Sequence, residues 1–511
     1  MAWYDRFRPK SQKRKNAFAP KFRKYQGANT GRLFSDFTAS STSADAEIKN
    51  QLRVLRDRSR DLARNDSYVQ RYLNLMVSNI IGSNGIRLSM KARNNDGNLD
   101  ILANRTIEQQ WKKWGRMGIC TTNGRLSFLD CQKIFVESLA RDGEVLIRHV
   151  VSRDSDFGYQ IQFLESDHLD ETKNEKNPRT GNRVKMGVEV DKNDRPVAYH
   201  LFKNHPYDNT YLSPKEHIIV PASEIIHAYI PNRAQQNRGV PFTAPAMPNI
   251  KMLNGYMEAE ITAARVSASK MGFFVSPDGD SYVGEGYEND YAPLMEASAG
   301  SFEQLPAGVD FRAFDPNHPT TAFESFTTQV LRSIASGLNI SYHALTNDLS
   351  SVNYSSLRAG ALEDREMYRL YQTFVIDHFI RPVFDKWLEM SISKGVIQIP
   401  TAGSPQTFLS LPMSRYDKFA ESANFIPRSF SWVDPQKEMM ASIQGMQAGL
   451  VSYQDVQSNY GRDVEELFEQ HEREQSLAEQ YGIKTAFQPF GTKLPVEADI
   501  QGQEQEDTDA I

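Results

Sequence analysis

Few residues of this chain stand where side-chain chemistry could begin. Asp278-x-Asp280 has the spacing of a cation-binding loop, but nine acids lie between residues 272 and 318 against the single Arg312, the pattern of an acidic surface loop. The adjacent carboxylates Glu363-Asp364 and Glu465-Glu466 could serve as acid and base, yet both pairs fall on helical positions expected to be solvated. The ten histidines are scattered, and none pairs with Cys or a carboxylate at metal-ligand spacing. Cys120 and Cys131 are too few for a zinc site or a disulfide framework and read as small buried residues. The patterns G-x-x-x-x-G-K-[ST], G-x-S-x-G and H-E-x-x-H are absent, and SYVGEGYEND has Gly284 and Gly286 but no third glycine opening a helix. No catalytic residue, metal or cofactor is therefore expected. A nuclease with a dispersed carboxylate site stays open as an alternative, because groups that meet only in space leave no linear motif.

One polar stretch stands out instead. NISYHALTNDLSSVNYSSLRAGALEDREMYR (339–369) sets a loop rich in Asn, Ser, Asp and Tyr between two helical runs. The first run has the stripe Phe323, Phe326, Val330 and Ile334, a capping box at Thr321-x-x-Glu324 and Gly337 as its stop. The second is predicted from about Ser356 to Lys394, with Leu370, Phe374, Phe379, Val383 and Trp387 buried and a kink at Pro382. Upstream, residues 45–82 read as one helix, with apolar spacing from Leu52 to Ile80 and an Arg face (Arg53, Arg56, Arg60, Arg64) that is solvated or salt-bridged, with nucleic acid as the alternative. GIRLSMKA reads as a strand, Leu102–Trp114 and Phe128–Arg141 as helices, and DGEVLIRHVV opens a strand region reaching residue 230. This mixed block, 45–240, is expected to form one domain of an α+β protein. From Pro248 an Ala-rich helix follows whose small residues Ala259, Ala263, Ala264 and Ala268 permit close helix approach.

The chain has 511 residues, too many for one compact core. No apolar run is long enough to span a membrane, and MAWYDRFRPKSQKRKN lacks the apolar stretch of a secretory signal, so a reducing cytoplasm is expected. The net charge of −5 is split: residues 1–35 carry +9 and the remainder −14. The basic arm, including Lys13, Arg14, Lys15, Lys21, Arg23 and Lys24, reads as a solvated tail or as a contact for nucleic acid or an acidic partner. Glu497, Asp499, Glu504, Glu506, Asp507 and Asp509 make the other end acidic.

Six stretches in register resemble the phage portal proteins of the lambda type. They are LRDRSRDLARNDSYVQRYLNLMVSNIIGSNGIRL (55–88), ARDGEVLIRHV (140–150), RPVAYHLFKNHP (195–206), IIHAYIPNRAQQNRGVPFTAPAM (225–247), LPAGVDF with FDPNHPTTAFESFTTQVLRSIASGLNISYHALTNDLSSVNYSSLRAGALEDR (305–365), and FSWVDPQKEMMASIQGMQAGLVS (430–452). The resemblance covers residues 50 to about 485 and leaves out the two charged tails. It implies a non-enzymatic head–tail connector of a siphovirus: a ring of usually twelve copies at one capsid vertex, through which double-stranded DNA is packaged and ejected without sequence readout. It also implies docking of the terminase large subunit, a head-completion or adaptor protein, and the major capsid and scaffold proteins, with assembly in the host cytoplasm and residence in the virion. A capsid scaffold without a channel is the remaining alternative.

The family order then divides the chain. Residues 1–45 are the basic arm, 46–247 and 357–425 the wing, 248–271 and 319–338 the two stem helices, and 272–318 a small α/β clip. Residues 339–356 become a tunnel loop narrowing the channel, 426–485 a helical crown, and 486–511 an acidic tail. On this map His343, Asn347, Asp348, Ser350, Ser351, Asn353 and Tyr354 face DNA, while Asp278, Asp280, Glu285, Glu288 and Asp290 face the motor or connector. Ala259, Ala263, Ala264, Ala268, Phe323, Phe326 and Val330 pack the stem. The clip's net −8, repeated around a ring, would repel phosphates and let DNA slide.

Overall fold

The computed structural model of the chain describes residues 41–208, 216–268, 272–275, 310–313, 323–350, 353–401, 404–430, 435–460, 462 and 464–482. The long amphipathic run expected to be one helix is three: α1 (Ala44–Lys49), α2 (Leu52–Asn65) and α3 (Ser67–Ile80). Asp66 makes the second break. Its backbone is extended and its carboxylate accepts the N–H of Val69, so it caps α3 where an unbroken helix would have continued. After β1 (Arg87–Met90) come α4 (Ile101–Trp114) and α5 (Phe128–Asp142), close to their predicted bounds. At Gly143, which ends α5 with φ +85, a Cβ would lie 2.2 Å from the Val240 carbonyl carbon. The bare backbone there lets the 239–241 segment lie against the start of β2 (Glu144–Val151).

β2 centres a three-stranded antiparallel sheet between β3 (Tyr159–Leu164) and a later strand. The chain first builds an antiparallel meander of β4 (Glu175–Lys176), β5 (Arg183–Lys185), β6 (Val188–Val190), β7 (Pro196–Phe202) and β8 (His217–Pro221). Then β9 (Ile225–Tyr229) returns to β2, with Leu146 opposite His227. Leu146, Leu169, Val188, Tyr199, Leu201 and Val220 form a small core of their own beside these sheets.

Next come α6 (Met247–Ala268), β10 (Gly272–Val275), β11 (Asp310–Ala313), α7 (Phe323–Gly337), α8 (Tyr342–Thr346) and α9 (Tyr354–Val375). A π-helical turn, Ile376–Ile380, joins α9 to α10 (Arg381–Ser393). The disturbance expected at Pro382 takes this form: Arg381 N–H bonds back five residues to Ile376, so the wide turn stands just before the proline that lacks a donor. The stripe of α9 is also corrected. Tyr368, Gln372 and Val375 are buried, whereas Leu370, two residues off that face, is 66% exposed.

The chain closes with the hairpin β12 (Gln398–Thr401) and β13 (Ser404–Ser410), α11 (Tyr416–Glu421), β14 (Ala423–Ile426), α12 (Pro435–Gln447), α13 (Tyr453–Asn459) and α14 (Val464–Gln480). β14 pairs with β1, Leu88 opposite Phe425, tying late sequence to early. The main core does the same: Trp111, Trp114, Phe128 and Phe135 meet Phe379, Phe384 and Trp387, with Phe135 stacked on Phe379 at 4.8 Å. The 45–240 block is therefore not self-contained, because its aromatic core is completed by α10 and the π turn. Helices pack against several small antiparallel sheets around this core, an α+β fold.

Candidate functional site: a pinned polar loop and a helix pair

The stretch between α7 and α9 is not an open loop. Leu338, Ile340 and Leu345 are buried, and α8 forms inside it, capped by Ser341, whose hydroxyl accepts the Ala344 N–H. Asn339 and Asn347 take positive φ, 57 and 59, the region that Asn tolerates better than most residues. Arg71 on α3 ties the loop down, donating from Nε to the Ala344 carbonyl at 2.8 Å and from a terminal nitrogen to Asn347 Oδ1 at 3.4 Å. Asp364 on α9 accepts both the N–H and the hydroxyl of Ser341. The expectation that Asp364 is merely solvated is therefore corrected.

The residues expected to face DNA divide accordingly. His343 Nδ1 lies 2.8 Å from the Asp348 carbonyl, which only accepts, so that nitrogen carries the proton. The Asp348 carboxylate accepts from Ser350 Oγ and N, at 2.6 and 3.0 Å, and from the Tyr342 hydroxyl. The Ser350 bonds, then Tyr342, hold its carboxyl below the usual range. Asn347, Ser350 and Asn353 are exposed, and Asn353 also caps α9 by accepting the Ser356 N–H. Tyr354 opens α9, and Ser351 lies outside the described residues. The loop thus presents amides and hydroxyls from a frame that Arg71 and Asp364 hold.

Before this loop α6 and α7 run side by side. Tyr256 stacks on Phe323 at 5.9 Å and meets Phe326 edge-on at 5.2 Å, and Asn249 donates to Ser333 Oγ at 3.0 Å. Beyond them β10 and β11 pair antiparallel, Gly272 opposite Ala313 and Val275 opposite Asp310. The chain leaves along α6 and returns along α7. Val330 packs on the main core. Ala259 and Ala264 are exposed and Ala263 half-buried, so this small-residue face is open rather than turned onto α7. The side chain of Ala268, the acids Asp278, Asp280, Glu285, Glu288 and Asp290, and the cations Lys13, Arg14, Lys15, Lys21, Arg23 and Lys24 lie outside the described residues.

Sequence reasoning missed a buried ion network. Arg238 and Glu144 are fully buried and joined by Arg238 Nε to Glu144 Oε2 at 2.9 Å. Arg56 lies 3.5 Å from Glu144, 3.3 Å from Asp167 and 3.1 Å from Glu171, and Arg60 bridges Asp142 at 2.8 Å and Asp167 at 2.6 Å. Burial alone would raise the Glu144 carboxyl, but the adjoining Arg238 guanidinium outweighs it and holds the group ionised. The network joins α2, the end of α5, β2 and the 232–240 segment, and the full burial of Arg56, Glu144 and Arg238 marks it as architecture. Of its signals only the Arg face of α2 was visible in sequence. Glu165, Asp167 and His205 bring ligand-type atoms within 4.8 Å of one another, but Arg60 already takes Asp167. Cys120 and Cys131 are buried and free, as expected.

A sequence profile described as "Phage portal protein, lambda family" matches residues 30–372. The chain is 34% identical over 482 residues to the "Probable portal protein" of Halomonas phage phiHAP-1, covering 92% of this chain and 89% of that one. It is 23% identical to "Portal protein B" of Escherichia phage lambda over 90% of each. A chain from the virion of a native gene transfer agent particle superposes with a TM-score of 0.45 at 11% identity, covering 83% of this chain and 95% of that one. On the profile and the 34% relative together, the chain belongs to the lambda family of phage portal proteins.

Proposed function

We propose that copies of this chain close into a ring at one capsid vertex and line the channel through which double-stranded DNA is packaged and ejected. The observation that carries this reading is the α6/α7 pair. It leaves Met252 (75% exposed), Ile261 (58%) and Phe326 (51%) in water beside the open Ala259 and Ala264 face. Apolar side chains of that size on a paired helix surface want covering, and neighbouring copies related by rotation would supply it. The antiparallel β10–β11 pair supports a stem leading to a clip at 272–318, and the pinned 339–356 loop supports a constriction that touches phosphates without reading bases. The clip, with its net −8, is the surface we assign to the packaging motor and the head-completion protein. No helix among the described residues is long and apolar enough to cross a membrane. A structural, non-enzymatic role fits a family of portal proteins, with packaging energy drawn from a separate ATPase. Negative-stain imaging of the purified chain tests the reading: rings with a central hole, twelve-fold on our expectation, support it, whereas monomers at high concentration or closed shells overturn it. Cleavage of DNA in Mg²⁺ or Mn²⁺ would restore the nuclease alternative.

A further inference from the structure

A groove of about 1040 Å³ runs along α3 beside the pinned loop, and the portal reading assigns it nothing. Arg71, Arg87, Lys133 and Arg428 all line it, from α3, β1, α5 and the segment after β14, and no Asp or Glu does. Between these cations the wall is built of exposed Asn74 and Ser78 on one stripe of α3, continued by the Gly82-Ser83-Asn84-Gly85 turn. Gly82 and Gly85 both have φ near +70, and a Cβ on Gly82 would meet the Arg428 side chain at 2.7 Å. Gly82 therefore lets the turn lie under the Arg428 side chain, and Gly85 lets it lie against Leu129 and Gln132 of α5. The sequence shows the same bias independently. From Ser67 to Asn95 there is not one Asp or Glu, in a chain that carries 64 of them.

We propose that this groove binds the phosphate backbone of double-stranded DNA. Its volume is far beyond one phosphate and suits a length of polymer. Cations spaced among amide and hydroxyl groups are what phosphodiester oxygens accept from. The groove is also continuous with the loop: Arg71 lines it and donates to Asn347. DNA held by the loop would meet the groove next, so the inference rests on the portal reading and extends its contact surface along α3. An acidic peptide, the other polyanion of this chemistry, would need well-exposed apolar anchors, whereas the lining's apolar residues are buried (Ile81) or half-buried (Leu75, Val77, Pro427, Tyr460) and its exposed stripe is Asn74 and Ser78.

The test uses the full chain and a short fluorescent duplex, with affinity measured across about 50 to 200 mM salt. Lys133→Gln removes one cation without touching the loop, and Asn74→Glu places an acid on an exposed position of the acid-free stripe. We expect the first to flatten the logarithmic salt slope by about 0.9, and the pair to weaken binding about tenfold. Both are repeated with the six cations between residues 13 and 24 changed to Gln, because the basic arm binds DNA by the same physics. Groove-dependent loss on both backgrounds supports the proposal. Affinity and slope unchanged by the groove variants overturn it, whatever the arm contributes. A labelled peptide copying residues 496–511 that binds with the groove dependence the duplex lacks overturns the nucleic-acid assignment. Ring imaging of the same preparations separates the two readings: rings without groove-dependent binding sink the groove alone, and absence of rings sinks the portal reading.

Discussion

Asp364, on the third turn of α9 at a position expected to be solvated, accepts the Ser341 N–H at 3.1 Å and its hydroxyl at 2.7 Å. That pair of hydrogen bonds from the cap of α8 to α9 sets where the polar loop leaves the body of the protein. Asp364→Ala leaves a half-buried N–H unmet and should cost about 1 to 3 kcal/mol in urea unfolding. Asp364→Asn keeps an acceptor and should lose less. Limited proteolysis should cut within 342–353 faster in the Ala variant. Equal cleavage rates in variant and parent would show that the contact does not hold the loop.

Glu144 is the hub of the buried network, facing Arg238, Arg56 and His227. Glu144→Gln strips the charge while both guanidiniums stay buried, and should cost about 3 to 5 kcal/mol by denaturant titration. Replacing Glu144 and Arg238 together with Leu and Met should cost less than Glu144→Gln alone, because no uncompensated charge is then left between them. The reverse order of stabilities would refute this account.

How much of this was legible in sequence follows from what each signal depends on. Periodicity and caps are local, so α4, α5, α7 and the Ala-rich α6 could be read directly. The strand β1 could be read as a strand, but not that it pairs with β14, since register across most of the chain leaves no local mark. The phase of α9 was misjudged at Leu370 because a mixed stripe fits two faces, and packing chose the one through Tyr368, Gln372 and Val375. Arg56 reads as one of four arginines that are solvated or salt-bridged; it is salt-bridged, and its partners Asp167 and Glu171 lie over a hundred positions away, where no local pattern names them. The loop's residues were identified by type and family order. Its frame was not, because Arg71 and Asp364 act through contacts that only the tertiary fold creates.

Burial, and then Lys386, hold His149 at about 4 against an ordinary 6.5, and its ring nitrogen bonds the Tyr159 hydroxyl at 2.6 Å. Burial also lowers His168 and His227. Below pH 6.5 the unfolded chain takes up protons that the folded protein refuses, so stability is full above 6.5 and declines as the pH falls toward 4. Glu189 adds a second stage. Burial opposes its ionisation, but Thr180, Asn177, Asn182 and His200 together hold it at about 2, so its contribution is full above 4.5 and is lost as pH falls toward 2. Urea midpoints should therefore begin to fall before Glu189 titrates. His149→Gln should flatten the first stage and spare the second, and a wild-type midpoint that is level from about pH 7 to 5 would contradict the assignment.

Ala264 gives the most direct handle on assembly. It is exposed on α6, one turn from the exposed Ile261, so a bulky side chain there has room in the single chain. Ala264→Trp should change unfolding stability by no more than about 0.5 kcal/mol, the usual range for an open surface position. If α6 is the lateral face of a ring, the same indole blocks the close approach that a small residue allows, and rings should give way to monomers in sedimentation velocity. Ala264→Ser, which keeps the surface small, should still form rings. Rings of normal size from Ala264→Trp would place the subunit contact elsewhere and leave the exposed Met252, Ile261 and Phe326 to be explained by another partner.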